Sequence, residues 1–235
     1  MKLLGLLGGM SSASTTLYYE RLNAGARARL GGLHGANLLI RPVDFAPIAH
    51  LQDAGNWTAM GDQLVAEAIV LQNAGAQVIV LATNTMHKLA PQITAAITVP
   101  FLHIGDATAD AIRAAGLRSP GLIATAFTME QSFYTDRLRA AGLAPVIPEA
   151  EDRRAVHRTI YDELCTGIVT EESRDFYLSV AERLKDAGAD CLILGCTEVG
   201  LLLTEKNAPL PVFDTTHIHC DAALDWALAP AQVPA

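Results

Sequence analysis

The 235-residue sequence has no cluster of lysine or arginine, and its acidic residues outnumber its basic ones by 25 to 17. Proteins that bind nucleic acid or an anionic membrane usually carry a basic patch, so neither partner is expected. No apolar run reaches the roughly 18 residues that cross a bilayer, since the run at residues 3–9 breaks at two glycines. We therefore expect a soluble, unprocessed protein that acts on small molecules.

Cysteine is scarce, with four residues, no CxxC pair and no signal peptide. A disulfide framework and a zinc or redox motif are therefore not expected, and reduced thiols predict a cytoplasmic location. A nucleotide-binding loop is missing too, because Gly5, Gly8 and Gly9 lack the GxGxxG spacing and no GK[ST] follows. A functional cysteine has to be identified by its position in the fold.

Hydrophobic residues make up 51% of the chain, enough for the core of one large or two small α/β domains. Predicted strands alternate with predicted helices, which indicates parallel sheets covered on both faces. Strands are predicted at residues 2–7, 37–41, 77–82, 99–104 and 212–214. Two further strands are predicted, one starting at residue 120 and one ending just before Cys196. The helices are predicted at residues 13–30, 61–73, 86–97, 128–141, 149–165, 171–187 and 217–228.

The sequence contains an internal duplication. Residues 73–84 align with residues 186–197 without a gap, so Thr83 and Cys196 occupy equivalent positions after two buried strands. We therefore predict two pseudo-symmetric lobes, each a parallel sheet flanked by helices, and strand ends that meet at one cleft. The N-terminal lobe, with Thr83, is predicted at 1–104 plus 209–235, and the C-terminal lobe, with Cys196, at 105–208.

Cys196 is the leading candidate for chemistry. A free cysteine is usually a small apolar filler, but this one follows a buried strand and precedes a hydroxyl and a carboxylate. At a helix start, backbone N–H groups and the helix dipole would lower the pKa of the thiol and make it a base or nucleophile. The remaining cysteines lack this setting and are interpreted as core or incidental: Cys165, Cys191 and Cys220.

Polar side chains next to the two equivalent positions could bind a carboxylate. Asn84, Thr85 and Thr197 offer donors at two helix starts, although each could equally be an ordinary N-cap. His87, four residues after Thr83, could orient the loop or cap a helix, and both interpretations remain open.

A group of possible metal ligands lies near the C-terminus: Asp214, His217, His219 and Cys220. Residues two apart on a helix face different sides, so these side chains do not converge in the predicted helix. A polar helix end is the favoured interpretation, and no metal is expected.

Several short motifs together resemble one enzyme family. They are Gly8–Ser11 followed by Tyr18–Tyr19, then Thr83–His87, Ile160–Leu164 with Gly167, Ser173–Arg174, and Gly195–Glu198. This combination resembles the aspartate/glutamate racemases over nearly the whole chain. The resemblance implies a cofactor-independent amino-acid racemase of two α/β lobes, commonly a homodimer. It also implies an amino-acid substrate between the lobes, flanked by two cysteines, one from each lobe.

The chain departs from that pattern at the first cysteine, where it has Thr83. This is similar to a subgroup of racemases with Thr at the first position and Cys at the second, acting mainly on the L-enantiomers of aspartate and glutamate. The resemblance implies Cys196 as the base, with Thr83 on the opposite face of the substrate. It also implies substrate contacts from Met10, Ser11, Gln52, Asn84, Thr85, Thr125, Thr128, Thr197 and Glu198.

A second departure concerns the substrate side chain. Some relatives carry a lysine after the 160–164 segment to meet a distal carboxylate, whereas residues 165–167 here include no cation. Aspartate and glutamate lead, and a neutral side chain such as that of homoserine stays open. Two other classes also remain: a single-cysteine enzyme such as an arylmalonate decarboxylase or maleate isomerase, and a binding protein that has lost catalysis.

Overall fold

The computed structural model describes residues 1–230, and the chain divides into two compact units. The first comprises Met1–His103 together with the chain from His219, and the second comprises Ile104–Ile218. A frayed tail is predicted from Pro230, but residues 231–235 lie outside the described part. Within residues 1–230 no helix is both long and apolar enough to cross a bilayer.

The first unit is built on a four-stranded parallel sheet in the order β2-β1-β3-β4. Its strands are β1 Leu4–Gly8, β2 Leu38–Pro42, β3 Val78–Leu81 and β4 Phe101–Leu102. Its helices are α1 Ser12–Leu30, α2 Phe45–Asp53, α3 Trp57–Asn73 and α4 Ala90–Ala96, with a 3₁₀ helix at Thr85–Leu89.

The second unit is built on a three-stranded parallel sheet in the order β5-β6-β7. Its strands are β5 Pro120–Ile123, β6 Cys191–Leu194 and β7 Val212–Asp214. Its helices are α5 Ile104–Ala114, α6 Ala126–Glu130, α7 Ser132–Ala140, α8 Ala150–Asp162 and α9 Glu171–Asp186, with 3₁₀ helices at Leu164–Thr166 and Thr197–Leu201. Helix α10, Thr215–Leu228, begins in the second unit and ends in the first.

Hydrophobic cores cover both faces of the first sheet. Val78 and Val80 pack in one core with residues of α1 and α10, and Ile79 and Leu81 pack in the other with residues of α2 and α3. Successive strand side chains point to opposite faces, so a fully apolar strand of this kind has to be buried on both sides. The predicted fold class, α/β with parallel sheets flanked by helices, is confirmed.

The boundary between the units differs from the one predicted. Residues 209–218 were assigned to the N-terminal lobe, but the structure includes them in the second unit. The reason is strand pairing, because β7 lies parallel to β6 with Leu192 opposite Val212 and Leu194 opposite Asp214.

Four helical segments also differ from the prediction. Helix α2 lies where no helix is predicted, and it tolerates Pro47 because this residue is in the first helical turn, where a backbone N–H has no partner to lose. The segment 86–97 forms a 3₁₀ helix followed by α4, and 128–141 is divided by the extended backbone of Gln131. Helix α5 was not predicted, because its buried face consists largely of small residues.

Gly9 is a point where the first unit requires glycine. Its φ is +96°, and a Cβ added there would lie 2.2 Å from the backbone oxygen of Val43. The same turn is held by the Gly9 N–H, which donates to Thr15 Oγ1 at 2.7 Å, and by the Val43 N–H, which donates to Gly8 O at 3.0 Å. A side chain at this position would separate the turn from the segment that follows β2.

We expect Gly9→Ala to destabilise the first unit much more than the control Gly55→Ala. Gly55 also has a positive φ, +67°, but a Cβ there meets nothing within 4 Å. The control should lose only the cost of a left-handed backbone, about 1–2 kcal/mol. Urea unfolding followed by fluorescence measures the difference, because both tryptophans, Trp57 and Trp226, belong to the first unit. Equal losses for the two variants would contradict the clash.

Candidate active site

The loops after β3 and β6 repeat one construction. The helix before each strand ends at residue 73 in the first unit and at residue 186 in the second. The strands themselves begin at residues 78 and 191. Both pairs are separated by 113 residues, as the alignment predicts. The Ala82 N–H donates to Leu7 O at 2.9 Å, and the equivalent Gly195 N–H donates to Ile123 O at 2.8 Å. Thr83 and Cys196 are both half-buried and are followed by 3₁₀ helices. The duplication therefore extends to the backbone.

In the first unit, the candidate residues follow the adjacent strands β1 and β3. Met10 and Ser11 come after β1, and Ser11 caps α1 by accepting from the Ser14 N–H at 3.2 Å. Asn84 and Thr85 come after β3 and are both buried. Since the carboxyl ends of neighbouring parallel strands share one edge of the sheet, the structure brings these two loops together.

Gln52 comes from a different element of the first unit. It is buried near the end of α2, the helix that sequence analysis did not predict. Helix α2 follows β2, which is the other neighbour of β1 in the sheet. The predicted contact residues of this unit therefore come after three consecutive strands of the sheet.

In the second unit, the candidate residues follow β5 and β6. Thr125 and Thr128 are buried, and their hydroxyl oxygens lie 3.3 Å apart. Thr197 and Glu198 follow Cys196, and the Thr197 hydroxyl donates to Glu198 Oε2 at 2.6 Å. These residues share one edge of the second sheet, because β5 and β6 are paired neighbours.

Cys196 donates a hydrogen bond from its thiol to the buried Glu198 carboxylate, with Sγ 2.8 Å from Oε2. Burial raises the pKa of the Cys196 thiol well above its usual value, and the negative charge of Glu198 raises it further. This corrects the expectation that a helix start lowers the pKa. Cys196 precedes a 3₁₀ helix of only five residues, so the dipole effect is small beside the loss of water.

The other cysteines differ in their surroundings. Cys191 and Cys220 are buried in the two cores, in agreement with a packing role, and burial raises the pKa of Cys191 to about 12. Cys165 is exposed as a residue but its thiol is partly buried, and this partial burial together with the charge of Glu198 raises the pKa of the thiol to about 11. Cys165 therefore lies close enough to the Cys196 loop to be affected by the charge of Glu198. The position of Cys165 in the sequence did not indicate this proximity.

The possible metal ligands are engaged separately. Asp214 Oδ2 faces His217 Nε2 at 3.4 Å, and both side chains line a pocket of about 620 Å³ in the second unit. His219 accepts from the Tyr18 hydroxyl at Nδ1 (2.8 Å) and donates from Nε2 to Leu102 O (3.0 Å). Across residues 1–230 no three His, Cys, Asp or Glu side chains are arranged to hold a metal ion.

Three supporting contacts involve residues outside the predicted set of catalytic and substrate-binding residues. Ser14 Oγ donates to Ala82 O at 3.1 Å, and His87 Nδ1 lies 2.7 Å from Thr83 O. In the second unit the Ser173 hydroxyl bonds the Glu163 carboxylate between α8 and α9. The only sequence signal for the His87 contact is its spacing of four residues from Thr83, which suits a contact across one helical turn.

Comparison with known proteins identifies the class. The crystal structure of a protein from Yersinia pestis, named a putative Asp/Glu racemase, is 49% identical, with a TM-score of 0.92 over 97% of this chain and 100% of that one. The structure of an aspartate racemase homologue from Pyrococcus horikoshii OT3 is 29% identical, with a TM-score of 0.85 over 97% of this chain and 99% of that one. The fold is therefore that of the Asp/Glu racemases.

Sequence comparison agrees with the fold. The family model for Asp/Glu/hydantoin racemases matches residues 7–223. The broad specificity amino-acid racemase RacX of Bacillus subtilis (strain 168) is 21% identical over 215 residues, 91% of this chain and 93% of that protein. The chain belongs to the Asp/Glu/hydantoin racemase family, which confirms the resemblance of its motifs. Family and fold together support a racemase.

We expect Glu198→Gln to make the Cys196 thiol more reactive toward iodoacetamide at pH 8. Removing the carboxylate charge lowers the pKa of Cys196, and the thiolate fraction rises about 10-fold for each unit by which that pKa falls. Mass spectrometry of the peptide containing Cys196 measures the rate. The control is Glu163→Gln, which removes a carboxylate bonded instead to Ser173. An unchanged or slower rate for Glu198→Gln would contradict this electrostatic assignment.

Proposed function

We propose that the protein is a cofactor-independent amino-acid racemase that acts on aspartate, glutamate or both by 1,1-proton transfer at the α-carbon. Cys196 is the base, and Thr83 lies on the opposite face of the substrate. The observation that supports this most directly is the hydrogen bond from the Cys196 thiol to the buried Glu198 carboxylate. A thiol already bonded to a carboxylate has a proton acceptor in place.

In the proposed reaction, the Cys196 proton passes to Glu198 and leaves a thiolate. The thiolate removes the α-hydrogen as a proton and becomes a thiol again, while the electron pair left on the α-carbon delocalises into the substrate carboxylate. Donors from Asn84, Thr85 and Thr197 stabilise the resulting enediolate, at about 3 kcal/mol for each well-placed donor. General-base help of this kind accelerates a reaction on the order of 10² to 10⁴-fold.

Reprotonation of the α-carbon follows one of two routes. Return of the proton from Cys196 retains the configuration, and delivery from the side of Thr83 inverts it. An alcohol is a far weaker acid than a thiol, so Thr83 donates a proton or holds a water that does so, and is not an equivalent base. After inversion, solvent returns a proton to the Thr83 side and takes the proton left on Glu198, which restores the starting state. Retention is therefore the easier route, and the two faces of the site behave differently.

Two classes of substrate side chain fit this proposal. The family resemblance favours aspartate and glutamate. A neutral side chain such as that of homoserine is the second candidate, because residues 165–167 include no cation. The negative charge of Glu198, which raises the pKa of Cys196, would also oppose a further negative charge beside it.

The proposal extends to cofactors, assembly and location. We propose that neither pyridoxal phosphate nor a metal takes part, because the thiol, carboxylate and donor groups supply the base and the charge stabilisation that the reaction needs. A homodimer is proposed from the family resemblance. A cytoplasmic location is proposed because none of the four cysteines, all within residues 1–230, forms a disulfide.

Cys196→Ala should abolish exchange of the α-hydrogen in heavy water, with a loss on the order of 10² to 10⁴-fold. Proton NMR follows the exchange of L-aspartate, L-glutamate and L-homoserine with EDTA present and no added pyridoxal phosphate. Cys191→Ala is the control for loss of a thiol outside the site. Substantial exchange by Cys196→Ala would refute its role, and activity restored by zinc would revive the metal-ligand interpretation.

The same spectra separate the alternative functions. A decarboxylase or isomerase of this fold would leave the amino acids unexchanged and turn over an arylmalonate or maleate. A protein that has lost catalysis would bind an amino acid without exchanging its α-hydrogen. Exchange dependent on Cys196 identifies the racemase, and the substrate that exchanges fastest identifies the side-chain class.

Thr83→Cys should raise turnover of the D-enantiomer and bring the rates of exchange and inversion closer together, because it adds a second base at the position equivalent to Cys196. The control is Thr83→Val, which keeps the shape, removes the hydroxyl and should slow inversion more than exchange. NMR measures exchange, and chiral chromatography measures inversion. The two net directions remain linked, because the equilibrium constant of racemisation is 1. An unchanged ratio in Thr83→Cys would contradict the proposed position of Thr83.

A further inference from the structure

The backbone of the Thr83 loop is held by side chains from two other parts of the first unit. The chain leaves the sheet after Leu81, so the next carbonyl groups lose their strand partners. Ser14 Oγ donates to Ala82 O at 3.1 Å, and the His87 ring lies with Nδ1 2.7 Å from Thr83 O. The Thr83 N–H donates to Leu81 O at 2.9 Å. Both backbone polar groups of Thr83 are therefore bonded.

His87 bonds Thr83 as a neutral ring, and the Leu102 carbonyl is a second acceptor beside the ring. A carbonyl oxygen only accepts, so Nδ1 of His87 carries the hydrogen and donates it to Thr83 O. The ring is 1% exposed, and burial lowers the pKa of His87 well below its usual value, with His103 and His219 lowering it further. The donor therefore stays in place throughout the neutral pH range without bringing a charge to the loop.

Packing fixes the orientation of the His87 ring. Its centroid lies 4.5 Å from that of His103, 5.5 Å from Phe101 and 5.7 Å from His219, all in edge-to-face arrangements. His219 is itself held at both ring nitrogens, by the Tyr18 hydroxyl and by a backbone carbonyl of β4. Neighbouring rings that are themselves tethered leave the imidazole little freedom to turn away from the Thr83 carbonyl.

We propose that His87 is a positioning residue for Thr83, which it acts on through the hydrogen bond from Nδ1 to the Thr83 carbonyl. The inference rests on the proposed function, in which Thr83 serves only the inverting route. Reprotonation by Cys196 does not use Thr83, whereas Asn84 and Thr85 of the same loop serve both routes. Displacing the Thr83 carbonyl should therefore slow inversion more than exchange, whereas a purely structural role for His87 would affect both rates equally.

Three substitutions separate the donor from the bulk of the ring. In His87→Asn, the side-chain nitrogen can occupy the place of Nδ1, two bonds from Cβ, so the bond to Thr83 O is retained. In His87→Gln, the amide lies one bond further out and cannot donate from that place, and His87→Leu has no donor at all. We expect His87→Leu and His87→Gln to lower the ratio of inversion to exchange about 10- to 100-fold, the effect of misplacing a reacting group by about 1 Å. His87→Asn should restore most of the ratio.

The experiment measures deuterium incorporation by NMR and inversion by chiral chromatography on the full chain, using the best substrate of the panel. If His87→Leu does not fold, the inference is tested by comparing the ratio of inversion to exchange in His87→Asn with that in His87→Gln. Equal losses of exchange and inversion, or an Asn variant no better than Gln, would overturn the inference. A wild-type protein that exchanges no amino acid overturns the proposed function together with this inference, whereas an exchanging protein with an unchanged ratio overturns this inference alone.

Discussion

The register of one strand pair in each unit determines where the candidate site residues lie. Leu4 is opposite Val78 in the first sheet, and Pro120 is opposite Cys191 in the second. A shift of one residue would turn every side chain of the strand to the other face and would move the residue that follows it. Both strands are apolar on both faces and buried, so the surrounding cores keep the register fixed. Thr83 and Cys196 consequently occupy the same position relative to their own sheets.

Much of the fold could be predicted because its strongest signals are local. Apolar runs such as 77–82, placed after a glycine turn and repeated 113 residues later, predict buried strands without tertiary information. The structure differs from the prediction where tertiary contacts determine the local structure or the unit to which a segment belongs. Pro47 is compatible with the first turn of a helix as well as with a loop. Residues 209–218 follow two prolines, and only the pairing of β7 with β6 shows to which unit they belong.

The sequence proposed the residues of the candidate site but not their electrostatics. The motif Gly195–Glu198 made Cys196 the leading candidate, but the ionisation of a thiol depends on its burial and on the direction of neighbouring side chains. Glu198 points back at the Cys196 thiol, and its charge opposes formation of the thiolate. The part played by His87 has the same character. Its spacing from Thr83 suggested a contact, but that spacing did not indicate that the ring is buried and packed against His103 and His219, which lowers its pKa.

The hydrogen-bonded thiol form of Cys196 affects how readily its sulfur is oxidised. Peroxide reacts with thiolates far faster than with thiols, and the first product, a sulfenic acid, leads on to irreversible oxidation. A base kept permanently as a thiolate would be exposed to this chemistry whenever the site is empty. In the proposed function Cys196 is the base, and its contact with Glu198 keeps the proton on sulfur in the empty site. The raised pKa that opposes formation of the thiolate would then also protect the thiol from oxidants.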